Sequence, residues 1–169
     1  MAETMVRMGE YAASAWREDI LVSIGLGSCI GFALVDRRRG VAGLAHIMLP
    51  DSSSTTPSGA PNRYADQAIP ALLADVIALG AQRISLEAVL VGGATMFAMG
   101  GNNLDIGARN EASTRAILER MGIPIHAAET GGSKGRTIRV HLDGPQVTCR
   151  EAGTSDVPLL TSERRSRAA

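Results

Sequence analysis

Three apolar runs follow one another in the first third of the chain, with only short polar turns between them. They are ILVSIG at 20–25, CIGFALVD at 29–36 and VAGLAHIMLP at 41–50. Runs of this length, bounded by glycine, proline and charged turn residues, predict buried β-strands. No helical pattern separates them, so neighbouring runs are expected to pair directly rather than through the helical crossovers of a doubly wound sheet. The pattern therefore favours an α+β layered fold.

Two amphipathic helices and several later strands complete the predicted fold. Apolar residues recur at helical spacing over about residues 63–79 and again over 108–122, where Gly122 is the expected stop. The inward face of the second helix is predicted to comprise Ala112, Ala116, Ile117 and Met121. Later strands are predicted at 86–94, 123–129, 136–142 and 146–149. We expect a single domain over residues 1–150, followed by a disordered tail at 151–169 that has little to pack.

Composition excludes several classes of function. The 169 residues carry a formal net charge of zero, which argues against a nucleic-acid surface or a polybasic membrane patch. Aromatic residues make up 3% of the chain, so stacking platforms for bases are scarce. No apolar run approaches the roughly 20 residues of a membrane span. Two cysteines are too few for a disulfide framework, so we expect reduced thiols and a cytoplasmic location.

The glycine-rich stretch GLGSCIG at 25–31 contains the first candidate for chemistry. Cys29 is either a small buried hydrophobe or a nucleophile on a loop whose N–H groups stabilise an oxyanion. Gly25, Gly27 and Gly31 nearly match a dinucleotide-binding fingerprint, but the last interval is one residue too long and a strand follows instead of a helix. A serine-type nucleophile elbow is disfavoured for the same reason, since it also requires a following helix.

A cysteine nucleophile requires a base, and His46 is the best placed of the three histidines. It lies near the end of the strand at 41–48, which is expected to neighbour the strand that begins at Cys29. His126 and His141 lie in later alternating strands and are expected to be ordinary surface residues.

The group that orients the imidazole is left open by the residues alone. A carboxylate is the usual choice, which makes Asp51 and Asp66 candidates, and the hydroxyl of Ser23 is a third.

Two polar segments are candidate rims of the same site. Residues 51–62 are rich in serine, threonine and proline and suit a flexible lid after the strand carrying His46. The turn TGGSKGR at 130–136 lacks the spacing of a phosphate-binding loop, but Lys134 and Arg136 are candidates for meeting an acidic substrate surface. A solvated turn is an equally good interpretation of both segments. No metal-binding pattern occurs, and no cofactor is predicted.

Six stretches in this order resemble the chemoreceptor glutamine deamidase family, CheD. They span most of residues 5–150, and the ordered set is far more specific than any one motif. The stretches are GLGSCIG at 25–31, GLAHIMLP at 43–50, RYADQAIPALL at 63–73, GGATMF at 92–97, IGARN at 106–110 and TGGSKGRT at 130–137.

The resemblance implies a three-layer α/β/β sandwich with a mixed sheet, related to necrotizing toxins that deamidate glutamine. It implies hydrolysis of selected glutamine side chains of methyl-accepting chemoreceptors to glutamate. The family's nucleophile falls on Cys29, its histidine on His46, and its third member, usually threonine, on Ser23. Substrate contacts are expected from Gly25, Gly27, Ser28, Lys134 and Arg136. The implied partners are chemoreceptor cytoplasmic helices and a CheC-type phosphatase, without nucleic acid or membrane insertion.

Two other classes of function remain open at this point. The same acyl-enzyme could be captured by an amine or an alcohol, which would give acyl transfer or ester hydrolysis. The chain could also be a binding module that regulates a chemotaxis phosphatase without essential catalysis.

Overall fold

The computed structural model describes residues 2–52, 63–95 and 105–162, and these residues form ten strands and two α-helices. The strands are β1 (Ala2–Met5), β2 (Tyr11–Ser14), β3 (Asp19–Leu26), β4 (Ile30–Asp36), β5 (Val41–Ile47), β6 (Glu87–Gly92), β7 (Ile125–Thr130), β8 (Arg136–His141), β9 (Gln146–Glu151) and β10 (Val157–Leu160). The helices are α1 (Ala65–Ala78) and α2 (Ile106–Met121), and a short 3-10 helix lies at Arg83–Ser85.

The elements stack in three layers. A central sheet in the order β2-β5-β4-β6-β7 has α1 and α2 on one face. An outer sheet in the order β1-β3-β8-β9-β10 covers its other face. Both sheets are mixed, because β7 runs parallel to β6 and β1 runs parallel to β3 while the other pairs are antiparallel. The predicted α+β class and α/β/β layering are confirmed.

The two central strands are apolar throughout because both of their faces are covered. Every residue of β4 and β5 is buried. Side chains alternate between faces along a strand. Ile30, Phe32 and Leu34 accordingly pack in the helix-side core, whereas Ala33 and Val35 pack in the inter-sheet core between the two sheets. This double burial explains why the sequence shows continuous apolar runs rather than alternation.

The outer sheet extends past the predicted end of the domain. β9 continues to Glu151, and β10 pairs antiparallel with it, with Val157 opposite Cys149. Leu160 is 1% exposed and packs in the inter-sheet core. The expectation of a disordered tail is therefore wrong for the β10 residues. They form the edge strand of the outer sheet, and Leu160 helps to bury its inner face. Residues 163–169 lie outside the described residues.

Helix α2 begins and ends at strong capping residues, but of its four predicted inward residues only Ile117 and Met121 pack in the helix-side core. Asp105 caps its start by accepting a hydrogen bond from the Ala108 N–H at 3.1 Å, and Gly122 ends it with φ of 68°. Ala112 and Ala116, predicted to face inward, are exposed. The buried stripe instead consists of Gly107, Asn110, Thr114, Ile117 and Leu118. Because Asn110 and Thr114 are polar, the apolar periodicity of the sequence does not identify this stripe.

Candidate active site

Cys29 lies at the end of the short loop between β3 and β4, which we call the nucleophile loop (residues 27–29). The side chain is partly exposed and packs against the inter-sheet core. Three donors hold the loop's carbonyls. The Ala94 N–H donates to the Gly27 carbonyl at 2.9 Å, and the Gly93 N–H donates to the Cys29 carbonyl at 2.9 Å. The third donor, to the Ser28 carbonyl at 2.9 Å, is a side-chain amide of α2.

Holding these carbonyls also orients the loop's amides. In a trans peptide the C=O of one residue and the N–H of the next point in opposite directions. Fixing the Gly27 and Ser28 carbonyls therefore directs the N–H groups of Ser28 and Cys29 to the other side of the loop. Among the hydrogen bonds within the described ranges, neither N–H donates to another residue. This pair of amides is a candidate oxyanion hole.

Glycine is required at two positions around the loop for different reasons. Gly25 has φ of 69° and lies at a bulge in the β3–β8 pairing, so it needs left-handed backbone although a side chain would meet nothing within 4 Å. At Gly92, a Cβ would collide with the Cys29 carbonyl. The absence of a side chain there lets the end of β6 reach the nucleophile loop.

The imidazole of His46 faces the same inter-sheet layer as Cys29. His46 pairs with Gly31, two residues after Cys29, so the start of β4 lies beside the end of β5 that carries His46. Its Nδ1 lies 3.2 Å from the carbonyl oxygen of Val6. A carbonyl only accepts, so Nδ1 is the protonated nitrogen and Nε2 carries a free lone pair. The predicted pairing of the strand that follows Cys29 with the strand that carries His46 is confirmed.

Ser23 meets the same carbonyl rather than the histidine. Its Oγ donates to the Val6 carbonyl at 2.8 Å, and the residue is fully buried in β3. The direct Ser23–His46 contact that the sequence suggested is corrected, because the Val6 carbonyl is the group that contacts Nδ1. A backbone carbonyl has no side-chain signature, so no sequence pattern could have identified it. The alternative Asp66 is bonded to Ser52, with Oδ2 accepting from the Ser52 hydroxyl at 2.7 Å.

Burial keeps both reacting groups neutral in the resting protein. Desolvation raises the pKa of the Cys29 thiol, and its own backbone N–H opposes that shift. Desolvation lowers the pKa of His46, which is 4% exposed, against a smaller opposing effect of the Val6 carbonyl. These surroundings favour a protonated thiol at Cys29 and a neutral imidazole at His46, and a neutral imidazole is able to accept a proton.

The two cations of the TGGSKGR turn have different positions. Lys134 is exposed, with Nζ 3.6 Å from a Glu151 oxygen. Arg136 is 6% exposed, and its Nη1 donates to the Gly131 carbonyl at 2.7 Å and to the Gly92 carbonyl at 3.3 Å. This corrects the interpretation of Arg136 as a surface cation for an acidic substrate. Its guanidinium instead fastens the turn to the end of β6.

The remaining sequence predictions concern the lid, metals and membranes. Residues 53–62, most of the predicted lid, lie outside the described residues. No group of three or more metal-ligating side chains occurs in the described parts of the chain. Within those same ranges, no helix is both long and apolar enough to cross a membrane.

The chain is similar to chemotaxis proteins from bacteria and archaea. Residues 48–151 match a family model described as "CheD chemotactic sensory transduction". A "Probable chemoreceptor glutamine deamidase CheD" from Clostridium kluyveri is 46% identical over 79% of this chain and 83% of that protein. Proteins of the same name from Methanococcus vannielii and Pyrococcus abyssi are 41% and 40% identical over 86% and 88% of this chain, and over 93% and 91% of their own lengths.

The chain also has a weak likeness to solved structures. The Neisseria meningitidis protein NMB0706, described by the family model DUF152, has a TM-score of 0.45 and 11% identity over 79% of this chain and 63% of its own. A likeness at this level carries no argument about the site.

Proposed function

The chain belongs to the CheD family, and on that premise we propose that it is a protein-glutamine deamidase in which Cys29 and His46 hydrolyse glutamine side chains of chemoreceptors to glutamate. The observation that carries the proposal is the nucleophile loop. Its carbonyls are held by three donors, its Ser28 and Cys29 amides have no acceptor among the described residues, and the strand that follows it pairs with the strand carrying His46. The family model begins at residue 48, so the assignment of these two residues rests on this geometry.

The first step forms a covalent intermediate. The Nε2 of His46 accepts the proton of the Cys29 thiol while Sγ attacks the carboxamide carbon of the glutamine. The carbonyl oxygen becomes an oxyanion that accepts hydrogen bonds from the N–H groups of Ser28 and Cys29. Each such donor typically contributes about 3–4 kcal/mol of transition-state stabilisation. Gly25 and Gly27 leave the approach to these amides free of side chains.

The second step releases ammonia and the third releases the product. The protonated His46 gives its proton to the amide nitrogen as the C–N bond breaks, leaving a thioester on Cys29. A water molecule then loses a proton to His46 and attacks the thioester carbon. The C–S bond breaks and the proton returns to sulfur. The balance is glutamine plus water giving glutamate plus ammonia, without a cofactor.

The substrate and partners follow from the family. The modified glutamines lie on the cytoplasmic helices of chemoreceptors, and the enzyme acts in the cytoplasm. The exposed Lys134 is a candidate contact for acidic side chains on those helices. A CheC-type phosphatase is a second candidate partner.

The test is incubation of the purified protein with chemoreceptor cytoplasmic fragments, followed by peptide mass mapping. We expect glutamine-to-glutamate conversion at selected sites, with free ammonia in equal amount. Cys29→Ala should abolish conversion, and Cys149→Ala should leave it unchanged because Cys149 is buried on β9. Conversion at the wild-type rate by Cys29→Ala would refute the mechanism. Cross-linked or esterified products would indicate acyl transfer instead, and loss of phosphatase regulation without any conversion would indicate a binding module.

A further inference from the structure

Asn110 joins the nucleophile loop to the strand that carries His46. It lies on α2 and is fully buried. Its Nδ2 donates to the Ser28 carbonyl at 2.9 Å and to the Met48 carbonyl at 3.0 Å. Ser28 immediately precedes the nucleophile, and Met48 lies two residues after the base. One side chain therefore spans the two halves of the site.

The other atom of the same amide has no role in holding the fold. Asn110 Oδ1 is buried and has no hydrogen-bond partner among the described residues. Turning the amide over would place this oxygen against two carbonyl oxygens, so the orientation is fixed by the two acceptors. A buried polar atom without a partner is unfavourable. The two hydrogen bonds that Nδ2 donates therefore explain why this position holds an asparagine.

The surroundings of α2 make this bridge rigid. A Cβ at Gly107 would lie 2.5 Å from the carbonyl oxygens of both Gly93 and Ala94, so the first turn of α2 packs directly on that segment. The N–H groups of Gly93 and Ala94 hold the carbonyls of Cys29 and Gly27. The first turn of α2, residues 93–94 and the nucleophile loop are therefore held together as one rigid unit.

We propose that Asn110 is a positioning residue for deamidation: its amide sets the direction of the Cys29 N–H and the spacing between that donor and His46. The proposal rests on the function proposed above. The Ser28 carbonyl and the Cys29 N–H belong to one planar peptide, so holding the first aims the second. The bond to Met48 fixes the end of β5 at the same time. A neutral side chain with two hydrogens on one nitrogen is suited to both bonds, whereas an ionised aspartate offers none.

The test compares Asn110→Ala with Ser113→Ala. Ser113 lies on the same helix and its Oγ donates to the Pro50 carbonyl at 2.7 Å, so the control removes a similar helix-to-loop bond that does not reach the nucleophile loop. We measure kcat and KM on a chemoreceptor fragment, and separately the rate at which iodoacetamide alkylates Cys29. Alkylation is a substitution at sulfur that forms no oxyanion, so it reports thiol reactivity alone.

Asn110→Ala is expected to lower kcat by about 100-fold, the size typical of a misplaced catalytic geometry. KM and the alkylation rate should stay within about threefold of wild type, since substrate binding and the thiol are untouched. Ser113→Ala should leave all three unchanged. Asn110→Asp, which keeps the shape of the side chain, should lose a similar part of kcat because even its protonated form has one donor where two are needed.

Labelling of Cys149 provides the folding control in the same samples. That thiol is buried and its pKa is raised to about 11 by desolvation, so iodoacetamide labels it only in unfolded molecules. The value of kcat is therefore taken per molecule with unlabelled Cys149.

Two results would overturn the positioning role: kcat of Asn110→Ala within threefold of wild type, or an equal fall in kcat and alkylation. Absence of deamidation by the wild-type protein, or its persistence in Cys29→Ala, would instead refute the proposed function.

Discussion

Two glycine-containing loops look alike in the sequence but differ in which of their own donors stay available. The nucleophile loop has its carbonyls bound by donors from outside it, namely Gly93, Ala94 and Asn110. The turn at 131–136 also has carbonyls bound from outside, by the Thr95 and Ala152 N–H groups, but its Gly131 N–H and its Arg136 guanidinium are both engaged as donors. The first arrangement leaves the N–H groups of Ser28 and Cys29 directed outward, whereas the second uses up one of the turn's own N–H groups and its buried cation.

The difference shows what makes a glycine loop suitable for catalysis. A developing oxyanion needs donors that are already in place and not engaged elsewhere. External donors on the carbonyls provide this, because they fix each peptide plane without using its N–H. An internal cation stabilises the turn but leaves less charge for a ligand. Residue type alone does not distinguish the two, since neighbouring elements decide which of a loop's own donors are engaged.

The largest effect that would test the comparison is on stability. Arg136→Met should lower the free energy of unfolding by about 1–3 kcal/mol, because the Gly131 carbonyl loses its buried donor, whereas the Gly92 carbonyl keeps the Gly131 N–H. Denaturant unfolding measures this change. Lys134→Met is the matched control and should change stability by less than about 0.5 kcal/mol, since Lys134 is exposed.

The deamidation rate per folded molecule should change little in Arg136→Met. A large loss of kcat in fully folded Arg136→Met would show that the second loop also takes part in the chemistry, and the contrast between the loops would then fail.

A smaller effect, on kcat, is expected from substitution of Ser23. It tests how the imidazole of His46 is held. Ser23→Ala removes one of two donors on the Val6 carbonyl but leaves the contact of that carbonyl with His46 Nδ1 intact. We expect kcat to fall by about fivefold, equivalent to roughly 1 kcal/mol, with KM unchanged.

Ser23→Thr keeps the hydroxyl and should be close to wild type in steady-state kinetics. A loss in Ser23→Ala as large as that of Cys29→Ala would mean that the hydroxyl itself contacts the reacting groups.

The smallest effect is a displacement of the pH profile. Desolvation lowers the pKa of His46 below its usual 6.5, so the imidazole stays neutral and active as pH falls through that value. The acid limb of kcat/KM should therefore have its midpoint below pH 6.5.

Burial raises the pKa of Cys29 above its usual 9.0, so the rate of its alkylation should still be rising at that pH. A plateau of alkylation near neutral pH would indicate a thiolate–imidazolium pair at rest.

Most strands and both helices were predictable because the residues that pack in the two cores form a hydrophobic pattern that is visible locally in the sequence. The apolar runs at 20–25, 29–36 and 41–48 correspond to β3, β4 and β5 within about one residue. Their direct succession was enough to predict that β4, which follows Cys29, pairs with β5, which carries His46, since successive strands usually pair. Residues 5–14 alternate only weakly between apolar and polar side chains, so no strand was predicted there and β1 and β2 were missed. They are four-residue strands at or near sheet edges.

The sequence by itself determined the layered fold and the family, and it identified Cys29 and His46 as the candidates for chemistry, because hydrophobic period and ordered motifs are local properties of the chain. The tertiary structure alone decided which groups hold those side chains. Asn110 reaches Ser28 across 82 positions, the Val6 carbonyl meets His46 across 40, and Arg136 is buried against Gly92 across 44. Hydrogen bonds of this kind depend on the direction of backbone carbonyls, which every residue possesses, so no residue type in the sequence identifies them.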